Sequence, residues 1–229
     1  MSTDQKYINL VNAQLRCLLK NQRSPIAMGE NINVSSRISG MTMGFESVTN
    51  LRIINTPNTE LTHCGVGFGV ALMGGSINLF CKQLDFLILG LDQLTNTNFL
   101  LNKQEELSGI FNILFFICDQ GFQGPQSSIN NLNDFFSLTT IDSYSINNIV
   151  DPSIELLPNF DQPGVRLYAL TQRCVNQVPF RLTAISCGKR QAFVKYSCGT
   201  EGTILCFNFG FTHLLEQVGF LTLQDRFDV

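Results

Sequence analysis

Apolar residues recur at helical spacing near the start of the chain. Ile8, Val11, Leu15, Leu18 and Leu19 form one stripe and predict a helix over 3–21. After the polar break Asn21-Gln-Arg-Ser, "PIAM" reads as a short strand, and an alternation of helix and strand begins. "LRIIN" at 51–55 predicts a strand, 59–73 a helix, "INLFC" at 77–81 a strand, and 83–101 a long helix with Leu84, Leu87, Leu91 and Leu94 along one face. "IFNILFFIC" at 110–118 has the apolar run of a central parallel strand covered on both faces. The polar loop "DQGFQGPQSS" and a helix over 128–137 follow it, then a strand "GVRLYALT" at 164–171 and a candidate strand "AFVKYS". "TILCFNFG" and "FTHLLEQVGF" read as strand then helix. The pattern predicts an α/β fold, a mostly parallel sheet with helices on both faces, whose chemistry belongs in the loops at the carboxyl ends of the strands.

Composition narrows the function classes. The 229 residues suffice for one large domain, or one domain and part of a second, and the Pro-, Asn- and Asp-rich stretch 147–164 is the linker candidate. Charged residues make up only 14% against 44% hydrophobic, which suggests a surface covered by partners and a chain that works as a subunit. A net charge of −3 with no lysine or arginine cluster gives no field for nucleic acid. No apolar run reaches membrane-spanning length and no leader cleavage site is visible, so a soluble, cytoplasmic protein is expected. Eight scattered cysteines without a C-x-x-C pair suit buried, reduced thiols, and the two histidines, His63 and His213, have no zinc-type companions.

"NTPNTELTHCGVGFGVALMGG", residues 55–75, carries the candidate chemistry. Gly65, Gly67 and Gly69 follow a strand, but their G-x-G-x-G spacing and the long gap after the strand fail the dinucleotide fingerprint. Neither a P-loop nor a nucleophile elbow is present. On composition alone, Asn58 or Thr59 caps a helix and Glu60 complements its dipole in the first turn. His63, three residues on, shares a helical face with Glu60 in a capping or interface role. Gly65 and Gly69, four apart, form a small face for close approach of another surface.

Several ordered motifs give Glu60 a sharper meaning. "GENI" at 29–32, "GMTMGF" at 40–45, "RIINTPNTE" at 52–60, "GVGFGVALMGG" at 65–75 and "DFLILGLDQLTN" at 85–96 follow one another in order. Together they resemble the pyrimidine-binding domain of transketolase-type thiamine diphosphate enzymes, above all the beta subunit of 2-oxo acid dehydrogenase E1 components. The resemblance implies that Glu60 is the catalytic glutamate, hydrogen-bonded in a largely apolar pocket to N1′ of the cofactor's aminopyrimidine and so promoting proton removal from thiazolium C2. It places Phe86 on the aromatic that stacks against the pyrimidine, and Glu30 in an acidic, water-lined connection between paired sites. A core phenylalanine is the plain alternative for Phe86, and a partly buried structural acid that for Glu30. Asp85, Gln126, Ser127 and His63 are weaker candidates for lining the substrate pocket.

Three departures qualify the resemblance. The loop Gly124-Pro125-Gln126 matches, yet Ser127 stands where the family has a substrate-facing histidine, which favours an acceptor other than a lipoyl group. The G-D-G motif that holds the diphosphate through Mg²⁺ is missing, so the resemblance implies an alpha-type partner subunit carrying that motif and the metal, in a heterotetramer. "GTEGTILCFNFGF" looks like the first strand of the family's C-terminal domain, but the sequence ends at Val229. The expected organisation is therefore a pyrimidine-binding domain over 1–185 and a truncated C-terminal segment over 186–229. The expected activity is cleavage or formation of a C–C bond next to a carbonyl, on a 2-oxo acid or sugar. A non-catalytic regulatory or scaffolding subunit and a nucleotide-binding oxidoreductase are the alternatives.

Overall fold

A computed structural model of the chain describes residues 5–102, 108–120, 124, 132–146, 149–150, 156–181, 202–203 and 227–228. Two compact units emerge, one from 1–146 with 157–177 and the other from 147–156 with 178–229.

The first unit runs α1 (Tyr7–Asn21), β1 (Ile26–Gly29), β2 (Arg52–Asn55), α2 (Glu60–Leu72), β3 (Ser76–Cys81) and α3 (Leu84–Leu87). It continues through α4 (Asn98–Asn102), β4 (Ile110–Ile117), α5 (Leu132–Thr139) and β5 (Asp142–Ile146). In the second unit β6 (Ile149–Val150) pairs in parallel with β8 (Phe180–Arg181), and β9 (Gly202–Thr203) with β10 (Phe227–Asp228). The first unit contributes one further strand, β7 (Gly164–Thr171), and its six strands form one parallel sheet in the order β2-β1-β3-β4-β7-β5.

Burial follows that order. Every residue of β3 and β4 is buried, whereas β2 and β5, at the two edges, are partly exposed. Consecutive residues of β4 show that helices cover both faces, because side chains alternate along a strand. The Phe111 ring meets α2, with its centroid 5.3 Å from that of Phe68 in an edge-to-face contact. Asn112 points the other way, donating to Asn78 Oδ1 at 2.9 Å and to the Phe160 carbonyl at 2.8 Å. Asn78, its partner across β3 and β4, donates in turn to Gln22 Oε1 at 2.9 Å just beyond α1. This buried polar row crosses a core in which each fully buried Leu, Ile or Phe contributes about 1.5–3 kcal/mol.

The structure refines several expectations. The helix expected over 83–101 follows a continuous helical path from Leu84 to Asn102, but with a 3-10 turn at Ile88–Gly90 and a π-helical turn at Gln93–Thr97. Asn96 donates to Asp92 at 2.7 Å and Thr97 to Gln93 at 2.8 Å beside that π turn. Strand β5 has no counterpart in the sequence reading. Of the stretch 147–164, residues 157–164 belong to the first unit, where Leu157 and Phe160 are fully buried. "AFVKYS" and "FTHLLEQVGF", with His213, lie outside the described residues, as does most of "TILCFNFG". Among the described residues no helix is long and apolar enough to cross a membrane.

Candidate functional site

The chain passes outward from β1 to β2, then crosses back to β3 and onward to β4, so the winding reverses between β1 and β3. In parallel α/β sheets the crevice beyond the carboxyl ends at such a reversal is where ligands bind. β1 and β3 approach closely there. A Cβ on Gly29 would lie 2.2 Å from the Phe80 carbonyl oxygen, and φ at Gly29 is +155°, so the position requires glycine.

Glu60 opens α2 on this edge. The Thr56 amide extends the pairing of β2 by donating to the Gly29 carbonyl at 3.1 Å, an exposed Pro57-Asn58 turn follows, and the helix starts. The Glu60 side chain is only 6% exposed, yet it accepts no hydrogen bond and forms no ion pair among the described residues. Its field reaches its neighbours. Burial pushes the Cys64 thiol up to about 12 with a contribution from the Glu60 carboxylate, and burial, Cys64 and Glu60 raise Cys81 well above its ordinary value. The first turn of α2 is closed over by Gly90, where a Cβ would stand 2.5 Å from Cys64 Sγ and 3.2 Å from the Glu60 carbonyl oxygen.

His63 is 4% exposed, and its Nε2 lies 3.1 Å from Thr59 Oγ1. Burial holds its pKa below the ordinary histidine range, while the Glu60 carboxylate, a backbone bond to Pro57 and the Glu30 carboxylate pull it upward. Glu30, half-buried directly after β1, accepts from Asn31 Nδ2 at 3.2 Å. The fold thus gathers Glu30, Glu60 and His63 at one place. Thr59 occupies the N-cap position of α2 but makes no side-chain capping bond, so the capping expected from the sequence is not how the helix starts.

Asp85 and Phe86 lie on α3, the turn that follows β3. Phe86 is half-buried; Asp85 is 1% exposed and accepts from Cys118 Sγ at 3.4 Å across the ends of β3 and β4. Burial pushes the Cys118 thiol up to about 12, Asp85 and Asp119 adding to the effect and Lys82 opposing it. Gln126 and Ser127 lie outside the described residues.

Sequence reasoning did not single out Cys118 and Asp119 as members of this edge. Asp119 accepts from the Thr171 hydroxyl and, at 3.1 Å, from the Arg173 amide, tying the end of β4 to that of β7. Tyr7 closes the same region from α1 by donating to the Ile146 carbonyl at 2.5 Å. The available signal was positional, since both residues follow directly on a wholly buried strand. Among the described residues the free cysteines are Cys17, which is exposed, and the buried Cys64, Cys81, Cys118 and Cys174. No group of three His, Cys, Asp or Glu side chains among them could hold a metal ion.

No protein-family model matches the chain, and no curated protein matches it.

Proposed function

We propose that this chain is the pyrimidine-binding, beta-type subunit of a split thiamine diphosphate-dependent enzyme that makes or breaks a carbon–carbon bond next to a carbonyl. The α/β fold with a six-stranded parallel sheet is compatible with such a domain. The observation that carries the reading is Glu60, a buried carboxyl group at the head of a helix on the ligand-binding edge, with no partner among the described residues. A carboxyl group on a largely buried residue with no protein partner is best explained where a ligand engages it. The pyrimidine nitrogen of thiamine diphosphate, able to share a proton with a carboxyl group, fits that requirement. When bound, the cofactor supplies a nucleophilic carbon and stabilises the negative charge left by bond cleavage.

In this reading Glu60 holds a proton at the pyrimidine nitrogen. Phe86 stacks on the ring, and Glu30 belongs to the acidic connection behind it. Asp85, His63, Gln126 and Ser127 line the substrate side, which receives a 2-oxo acid or ketose. The diphosphate and Mg²⁺ fall to an alpha-type subunit bearing the G-D-G motif, in a cytoplasmic heterotetramer.

The test joins the chain to such a partner and titrates thiamine diphosphate with Mg²⁺ by calorimetry. Tight binding that depends on both chains, with turnover abolished by Glu60→Gln, is the expected result. A complex that forms but binds no cofactor removes the reading. Full turnover in Glu60→Gln would instead identify a regulatory or scaffolding subunit, and binding of NAD by the isolated chain an oxidoreductase.

A further inference from the structure

Thr59 stands where a threonine ordinarily caps a helix by accepting from an amide of the first turn. Its hydroxyl is instead 3.1 Å from Nε2 of His63, one turn along α2, and 3.5 Å from the Pro57 carbonyl oxygen. The buried ring therefore holds Thr59, whose hydroxyl also reaches the Pro57 carbonyl, against the helix. Glu60 directly follows the tied residue.

We propose that His63 is a positioning residue for Glu60: by engaging the Thr59 hydroxyl it fixes the turn entering α2, keeps that hydroxyl off the helix start, and leaves the Glu60 carboxyl without a protein partner and available to a ligand. Any other use of the Thr59 hydroxyl would redirect this turn. A free hydroxyl could cap the first-turn amides or donate to Glu60 itself, and either change would alter how the acid is presented. The carboxylates acting on the ring are Glu60 from its own helix and Glu30 from the end of β1, and both favour its protonated form. Burial opposes them and keeps the imidazole neutral near neutral pH, so it does not form an ion pair with the acid it positions. The inference rests on the functional reading above, in which Glu60 must remain free.

The full-length chain, isotope-labelled and without cofactor, provides the test. His63 is titrated by NMR in the wild type and in Glu60→Gln, and amide exchange of residues 59–62 is compared among the wild type, His63→Phe and His63→Gln. Glu60→Gln should lower the proton affinity of His63, because the Glu60 carboxylate favours the protonated ring. Exchange at 59–62 should change severalfold in His63→Phe, which keeps the bulk but loses the bond to Thr59, and return toward wild type in His63→Gln. An unmoved His63 titration in Glu60→Gln overturns the proposal, and so does unchanged exchange in His63→Phe. Either result leaves the cofactor test untouched. Failure of cofactor binding with the coupling intact removes the functional reading alone.

Discussion

Adding one methyl group at successive glycines of α2 should have opposite effects. A Cβ on Gly67 would fall 2.2, 2.3 and 2.6 Å from three ring atoms of Phe111, a fully buried side chain of central strand β4. The ring is held edge-to-face against Phe68, so Gly67→Ala must displace either the helix or the aromatic pair. Overpacking of this kind costs about 1–3 kcal/mol, and the clash here belongs at the upper end of that range. Alanine returns about 1 kcal/mol through its better helix propensity, leaving a net loss of about 2 kcal/mol. For a chain of this size that lowers the melting temperature by about 4–8 °C.

Gly69 and Gly65 have nothing within 4 Å of the same construction, so alanine there should keep the helix gain and raise the melting temperature by about 2–4 °C. Thermal melts followed by circular dichroism, supported by urea titrations, measure all three variants. Gly67→Ala proving as stable as Gly69→Ala would refute the packing argument. The comparison also separates the two roles of the glycines. Gly67 serves the chain's own core, whereas Gly65 and Gly69 lie near Leu61, Val66 and Leu72, exposed on α2, and Met73, exposed just beyond it. If the proposed partner covers that face, Gly65→Ala and Gly69→Ala will stabilise the isolated chain and weaken the complex.

At mildly alkaline pH, iodoacetamide should modify exposed Cys17 and spare Cys118, whose thiol is pushed up to about 12, and Asp85→Asn should speed labelling of Cys118, as read by peptide mass spectrometry. Because this folded-state pKa is raised above the ordinary value of 9.0, the thiol's contribution to stability is complete below 9.0 and is lost as pH rises through about 12, which urea titrations across that range would show. Asn112→Ala should cost about 2–4 kcal/mol in urea titrations, since it opens a cavity and leaves Asn78 Oδ1 without its donor; a loss below 1 kcal/mol, as is common at surface sites, would contradict the buried row.

The strands that the sequence revealed best are those with the least choice of environment. "INLFC", "IFNILFFI" and "GVRLYALT" are covered on both faces, and their composition says so. Edge strand β5, "DSYSI", is half-exposed and rich in serine and aspartate, so neither a β-branched run nor a clean alternation marks it. The π turn at 93–97 escaped notice because Leu84, Leu87, Leu91 and Leu94 keep helical spacing through it, and the irregularity lies in the hydrogen bonding. Glu60 was legible through the residues around it, but its lack of a partner was not, since that depends on every neighbour folding in. The contact between Asp85 on α3 and Cys118 after β4 joins segments far apart in the chain, and no local pattern encodes it.

The asparagine row has a consequence for how the sheet assembles. An eight-residue strand whose other seven members are Ile, Phe and Leu could slide along its neighbours, or along another copy of itself, with little loss of apolar contact. Asn112 removes that indifference. Only when it stands beside Asn78, with the Phe160 carbonyl within reach, are its amide protons satisfied. Displaced by one residue, the amide would turn toward the face now occupied by Phe111 and α2, where no such acceptors await it. The row thus acts as an address for a strand otherwise made of Ile, Phe and Leu, making the native alignment the one in which both amide protons of Asn112 meet acceptors, although its Oδ1 stays buried without a donor.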